Sequence, residues 1–443
     1  MSEVFVEKED QRITLSSQWF PGVSDMCKSV PGARWSAKDK HWSYPLSLET
    51  CREMRAVFTD MLVIGPELWD WAADERRAEI VLAELGSSSD AKLLLAPEVS
   101  PTLARAMANR TYQRVGARFV AEAGKRGGVG VFDEPSLGKT ITTYGGIMEA
   151  GLWEGSHLVA APKTTLKSVW ADQLYRWAGE TGAEAFPMPD GRAKRANVLQ
   201  EFLASEAKTK FLIINPEMLA IKKKHYCKKC EEFQGSYLAE HHQLGHRTSL
   251  QIQKCDWPEL FDVHWRTVTI DEVQKYLIGI RGPQKMTQVG TGATSLSADM
   301  RIALSGTPFK GVVRNLWGIL HWMRPDEYKG FWSWAETYLQ INDNGFGKDI
   351  GGLREGKEEA FYRSLDKVAI RRTKREVRSD LPENVWQEHW VDMLPGQKKQ
   401  YTSMVEEAEA DFDGTIVSTT GVLAELTRLK QLSFGEWKIV DGK

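Results

Sequence analysis

Eight consecutive residues, Asp133-Glu134-Pro135-Ser136-Leu137-Gly138-Lys139-Thr140, have the types and spacing to hold a nucleoside triphosphate. An apolar run precedes them and a helical stretch, Ile141–Ala150, follows. In such a loop the backbone of Pro135, Ser136, Leu137 and Gly138 wraps the phosphates at a helix N-terminus. Lys139 reaches the β and γ oxygens and the Thr140 hydroxyl binds magnesium. Two positions depart from the pattern. Asp133 stands where the strict form has glycine, and Ser136 stands where related loops usually carry one. Serine resists the positive φ that glycine accepts freely, which would weaken binding. A chance Gly-Lys-Thr at a helix start is the plain alternative, so the neighbours decide.

Asp271-Glu272 closes the apolar run Thr267–Ile270. Carboxylates at the C-terminal end of a sheet strand lie where ligands collect in doubly wound folds. There Asp271 would hold magnesium, directly or through water, and Glu272 would polarise an attacking water. An isolated Asp-Glu pair is more often an acidic turn. Here the pair lies downstream of the loop, and the next apolar run ends in Ser305-Gly306-Thr307-Pro308. Ser305, Gly306 and Thr307 would couple the γ-phosphate state to motion. Gln113, one helix upstream, has an amide that can both donate to and accept from an adenine edge.

These groups need a rigid frame. Gly128–Phe132, His157–Ala161, Phe211–Asn215, Thr267–Ile270 and Ile302–Leu304 read as buried strands bounded by turns and spaced by helices. That rhythm predicts an α/β fold with a parallel sheet covered on both faces. With 443 residues and 42% apolar content, two or three domains are expected. Residues 1–60 read as a small α+β module, 61–109 as a helical connector, 110–325 as the nucleotide-binding lobe and 326–443 as a helical extension. No apolar run approaches the roughly 20 residues needed to span a bilayer, and the charged N-terminus lacks a secretion signal. Five cysteines in a chain of this length make no disulfide framework, so a cytoplasmic setting and no membrane partner are expected. The net charge of −2 does not argue against a polyanion, because only a local basic groove matters to phosphates.

The ordered set Tyr112-Gln113, the loop at 133–140, Ala161-Pro162 with Trp170 and Trp177, Asp271-Glu272, Ser305–Pro308 and Arg371-Arg372-Thr373-Lys374 resembles the Swi/Snf branch of superfamily 2 helicase-like ATPases. The segments Arg301–Pro325 and Leu365–Tyr401 share the likeness, which covers residues 110–435. The departures are Ser136 and the Val273-Gln274 that follows the acidic pair. The resemblance implies a RecA-like lobe that binds ATP and Mg2+, with Lys139, Asp271 and Glu272 catalytic, and DNA (duplex, forked or branched) as partner. It places Lys163, Thr164 and Thr165 on DNA phosphates, with Asn215 and Glu217 less firmly so. It points to a DNA translocase or annealing-type helicase without implying strand separation, with remodelling of protein–DNA complexes and a non-hydrolysing, ATP-gated adaptor as rivals. Arg371, Arg372 and Lys374 would brace the hinge between lobes or bind DNA. It also implies a second lobe supplying arginine fingers. That lobe is expected beyond Lys443 or on a separate second-lobe polypeptide, and residues 1–443 alone are expected to bind ATP but hydrolyse it poorly.

Two further segments carry their own patterns. Two residues separate Cys227 from Cys230, ten residues then precede His241, and four separate His241 from His246. This resembles a Cys-Cys-His-His zinc finger inserted at 221–260, with Zn2+ replacing a core too small to build. His242 or Cys255 are alternative ligands, and a surface loop with incidental Cys and His is the alternative reading. The N-terminal Phe20-Pro21, Val30–Trp35 and Trp42–Pro45 resemble the HARP module of annealing helicases. That implies Trp35, Trp42 and Tyr44 stacking on bases, with Arg34 and Lys38 on phosphates. The competing reading puts the same rings in the module's core.

Overall fold

The computed structural model describes residues 3–10, 12–227, 232–234, 248–278, 286–309, 311–343, 345, 347–378, 380, 382, 385, 387–412, 415–418 and 422–434. Two units are separable, residues 1–379 and 380–443. Among the described residues, no helix is long and apolar enough to cross a membrane.

The first unit opens with a five-stranded sheet made of β1 (Val4–Glu9), β2 (Arg12–Ser17), β3 (Arg34–Ser36), β4 (His41–Pro45) and β5 (Leu62–Ile64), in the order β3-β4-β2-β1-β5. Strand alternation builds its core: Val4, Val6, Ile13 and Leu15 are buried on one face, beneath the helices Val23–Ser29 and Leu48–Phe58. Ser47 caps the second helix by accepting the Thr50 N–H at 3.0 Å. The long helix Pro66–Ser87 then leads to the main sheet.

The main sheet has seven strands, and every neighbour is parallel. In chain order they are β6 (Gly128–Val131), β7 (Gly155–Ala160), β8 (Glu184–Pro187) and β9 (Thr209–Ile214), then, past the insert strands β10 (Ile221–Cys227), β11 (Glu232–Gln234) and β12 (Thr248–Cys255), β13 (His264–Asp271) and β14 (Ser297–Leu304). The seventh arrives after a hairpin of β15 (Leu339–Asp343) and β16 (Lys348–Leu353), as the two-residue β17 (Ala369–Ile370). The order is β17-β6-β14-β13-β7-β9-β8. Successive residues of one strand feed opposite cores: Leu158 and Ala160 pack with the Trp265–Trp317 side, Val159 with the Tyr144–Trp170 side. Such double burial is what continuous apolar runs require.

The helical extension expected over 326–443 is corrected. Residues 339–343 and 348–353 pair as an antiparallel hairpin. Residues 369–370 add the outer strand of the main sheet beside β6. In the second unit, the helices Pro395–Glu407 and Val422–Leu432 flank a further hairpin, β18 (Glu409–Phe412) with β19 (Thr415–Ser418). Gln397 Nε2 donates to the Leu432 carbonyl at 2.7 Å, and Met404 packs with Leu432.

Candidate nucleotide and nucleic-acid site

The loop 133–140 joins β6 to the helix Lys139–Glu149, at the C-terminal edge of the sheet. Gly138 (φ 84°) turns the chain into the helix. Ser136 also takes positive φ, at 72°, the conformation its side chain resists. The loop holds its own lysine: Lys139 Nζ donates to the Asp133 carbonyl at 2.9 Å and reaches that of Glu134 at 3.5 Å. Burial lowers the Lys139 pKa, opposed by Asp271, Asp133 and Glu272.

Asp271 ends β13 beside Leu304 at the end of β14. Burial, then the adjacent Glu272, raises its carboxyl above the ordinary range, while Trp170 Nε1 donates to Oδ2 at 3.4 Å. A half-desolvated carboxylate pair facing one lysine can accommodate further cationic charge. Thr140, buried in the first turn of the loop helix, and Asp271 are therefore a fitting pair to hold a magnesium ion. Glu272 sits in left-handed backbone (φ 52°) and accepts from Gln274 Nε2 at 2.6 Å, so its carboxylate is aimed rather than free. Gln274 thus gives the acidic pair a positioning contact.

Ser305 follows β14, its N–H 3.3 Å from the Val131 carbonyl, and its Oγ accepts from the Thr307 N–H at 2.9 Å. A Cβ added to Gly306 would lie 3.1 Å from Pro135 Cδ, so the 305–307 turn abuts the loop. Gln113 is buried and donates from Nε2 to the Leu137 carbonyl at 3.0 Å, while its Oε1 has no partner. An unpaired buried acceptor beside a phosphate loop fits the amino edge of an adenine.

A contact that sequence reading placed elsewhere braces this site. Arg372 is buried, and its N–H and Nε each donate to Asp133 Oδ1 at 3.0 Å, with Nη2 on Oδ2. Nη1 donates to the Tyr112 carbonyl, next to Gln113. The chain from β17 continues the pairing outward: Phe132 N–H donates to Ile370 O at 2.8 Å and Glu134 N–H to Arg372 O at 3.0 Å. Arg372 therefore clamps the loop and the Gln113 helix together, within the first unit. The Arg-Arg pair signalled a brace, but its partner lies 239 residues upstream and carries no local mark. Asp133 replaces the glycine of the strict pattern because it anchors this clamp.

The residues expected on DNA are spread out. Lys163 and Thr164 are exposed just beyond β7; Lys163 Nζ lies 3.2 Å from Asp190 Oδ1. Thr165 Oγ1 donates to the Pro162 carbonyl at 2.8 Å. Asn215 is corrected: it is buried, and its Oδ1 accepts the Glu217 N–H at 3.1 Å as a turn cap. In the N-terminal sheet, Val6, Leu15, Trp42 and Trp35 form one cross-strand row. Exposure rises along it from 2% at Val6 to 52% at Trp35, whose ring centroid is 5.3 Å from that of Trp42. Tyr44 follows the core reading, fully buried with its hydroxyl donating to the Cys27 carbonyl at 3.0 Å. Of the zinc quartet, Cys230, His241 and His246 lie outside the described residues, as does the Cys227 side chain. Among the described residues no cluster of three His, Cys, Asp or Glu side chains could hold a metal.

A parallel sheet with a phosphate loop on its first inner strand, and an acidic pair at the end of the next strand but one, defines a P-loop nucleotide-binding lobe. The chain belongs to the SNF2-related domain family, which matches residues 112–434. It is 23% identical over 315 residues to the human SWI/SNF-related matrix-associated actin-dependent regulator of chromatin subfamily A member 1, covering 70% of this chain and 25% of that protein. It is 26% identical over 307 residues to the chromatin-remodeling ATPase INO80 of Lodderomyces elongisporus, covering 67% and 17%. The chain thus spans a quarter or less of these curated relatives. The Sulfolobus solfataricus SWI2/SNF2 ATPase core in complex with dsDNA is similar at 21% identity and a TM-score of 0.40, over 77% of this chain and 60% of that one.

Proposed function

We propose that this chain is the front lobe of an ATP-dependent DNA translocase of annealing type, acting on forked or recombining DNA in repair. The observation that carries the reading is the convergence of Lys139, Asp271, Glu272 and the 305–307 turn on one loop. ATP binding draws Lys139 from the loop carbonyls to the phosphates, which are a better match for its charge. Gln113 takes the base through its unpaired Oε1. Glu272, fixed by Gln274, accepts the proton of the attacking water. Bound magnesium, on Thr140 and Asp271, would neutralise phosphate charge. Loss of the γ-phosphate then relaxes the 305–307 turn against Pro135. A second lobe, in cis or in trans, supplies the arginines for fast turnover.

DNA would run past Lys163, Thr164 and Thr165, with Trp35 the foremost stacking ring and Trp42 beneath it. A zinc finger on Cys227, Cys230, His241 and His246 belongs to the same proposal and requires stoichiometric zinc that falls in Cys227→Ser. The chain would act in the cytoplasm. Nucleotide titration set beside ATPase assays, with and without forked DNA, tests the whole. Lys139→Ala should abolish binding, and Glu272→Gln should bind ATP without turnover. Tight ATP binding with no turnover even beside a second lobe would favour a non-hydrolysing, ATP-gated adaptor, the reading that Ser136 supports. The named activity of the chromatin-remodelling relatives favours a third reading, displacement of DNA-bound protein, which a roadblock assay separates.

A further inference from the structure

The outer face of the N-terminal sheet does not close tightly on the lobe. Arg12 of β2 and Arg34 of β3 lie on that face, opposite the Ile13–Tyr44 core, because Thr14, Ser43 and Arg34 share one cross-strand row. Between this face and the segment 326–338 is a cavity of about 420 Å³. Five buried polar atoms on residues lining it have no hydrogen-bond partner: Arg12 Nε and Nη2, Tyr328 Oη, Ser333 Oγ and Trp334 Nε1. Trp334 is only 6% exposed. Three of the five can only donate, and the two hydroxyls can do so.

Four carboxylates also line the cavity; Asp326 makes no ion pair among the described residues, and the other three are engaged. Glu49 and Glu79 pair with Arg52, at 3.6 and 2.8 Å, and Glu49 also with Lys357 at 3.6 Å. Glu327 pairs with Arg324 at 3.2 Å and Lys367 at 2.8 Å. Arg12 and Arg34 make no ion pair among the described residues. Burial, and then Arg34, works against the charge on Arg12. Buried donors left unpaired are costly, and native folds rarely keep them in a cluster without a partner. Water filling the space would satisfy the N–H groups but leave two neighbouring guanidinium charges unbalanced. A tetrahedral oxyanion does both, since guanidinium geometry matches phosphate.

We infer that the seam between the N-terminal sheet and the lobe is an anion site that takes a phosphate-bearing ligand, with Arg12 and Arg34 as its cations and Trp334 and Ser333 as its neutral donors. It is separate from the phosphate loop and does not depend on the reading given to that loop. Its occupant would tie the sheet to the lobe by bridging both sides.

Calorimetry on the full chain carrying Lys139→Ala, which silences the phosphate loop, tests this with pyrophosphate and inorganic phosphate as probes. Saturable binding is expected, weakened at least tenfold by Arg12→Gln and severalfold by Trp334→Phe, with thermal melting of the free Trp334→Phe protein unchanged. A short DNA duplex that competes with pyrophosphate identifies a backbone phosphate as the occupant; absence of competition identifies a free anion. The inference is overturned if no heat is seen, or if Trp334→Phe and Ser333→Ala both bind as tightly as the parent. It is equally overturned if citrate binds as well as pyrophosphate, since selectivity for phosphate would be lost. If Arg12→Gln does not fold, the Trp334 and Ser333 variants decide alone.

Discussion

Replacing Arg372 by alanine should damage the nucleotide site from beneath without touching a nucleotide. The guanidinium is 7% exposed and the Asp133 side chain fully buried, so the substitution leaves a carboxylate stranded in the sheet. It removes two side-chain bonds to Asp133 and the bond to Tyr112 O. Breaking a buried, bidentate pair on one side costs about 3–5 kcal/mol. Removing both charges, as in Asp133→Leu with Arg372→Met, should recover most of that loss. Denaturant melts of the parent, Asp133→Leu, Arg372→Met and the double variant give the cycle, and a fluorescent ADP analogue reads the loop. Affinity is expected to fall at least tenfold in Arg372→Ala, or about 1.4 kcal/mol, because Asp133 and Gln113 no longer share an anchor. A loss under about 1 kcal/mol, in the range of an exposed pair, with unchanged ADP affinity would refute the clamp. A double variant no better than Arg372→Ala would refute the assignment of Asp133 as its partner.

Ser136→Gly should stabilise the protein by about 0.5–1 kcal/mol by relieving the positive φ, and should tighten nucleotide binding; a lower denaturation midpoint would contradict the strain. Asp271 carries a raised carboxyl pKa from burial and then Glu272. The folded state therefore binds that proton more tightly than the unfolded chain. Its stabilising effect is complete below the unfolded value of about 3.9 and is lost as pH climbs through the folded value. Asp271→Asn should accordingly raise the denaturant midpoint of the free protein at pH 7, lose the advantage in acid, and abolish magnesium-dependent nucleotide binding; a wild-type advantage at pH 7 would count against it. Tyr44→Phe should cost about 1 kcal/mol by orphaning the Cys27 carbonyl. Trp35→Ala should leave stability within about 0.5 kcal/mol and weaken DNA binding, and the reverse pattern would return Trp35 to the core.

The inner strands were legible because burial on both faces writes an unbroken apolar run, as in Phe211–Ile214. The two edges were not. Glu184–Pro187 has one exposed side and ends in proline, and Ala369–Ile370 is too short to carry a period. The hairpin at 339–353 did have a sign, the Asn-Gly at 344–345, overlooked inside a stretch that looked helical. At the site, Lys139, Thr140, Asp271 and Glu272 were readable because phosphate and metal chemistry restrict residue types. The Arg372–Asp133 clamp was not, since a pairing across most of the lobe leaves no local spacing. Strand parity puts Tyr44 and Trp35 on one face, and only position separates them: Tyr44 faces Ile13 in the middle of the sheet, whereas Trp35 belongs to the short edge strand.

The outer strand beside β6 also sets a timetable. Residues 368–372 dock on backbone made some 240 residues earlier, a long loop to close before the loop at 133–140 is finished. During synthesis the edge of β6 stays uncovered while the other five strands assemble, a template for pairing with other chains. A nascent chain that has passed the 305–307 turn already holds every nucleotide ligand named here, yet lacks the brace beneath them. Competence to bind nucleotide would then switch on late and abruptly, when Arg372 leaves the ribosome, rather than growing with each strand added.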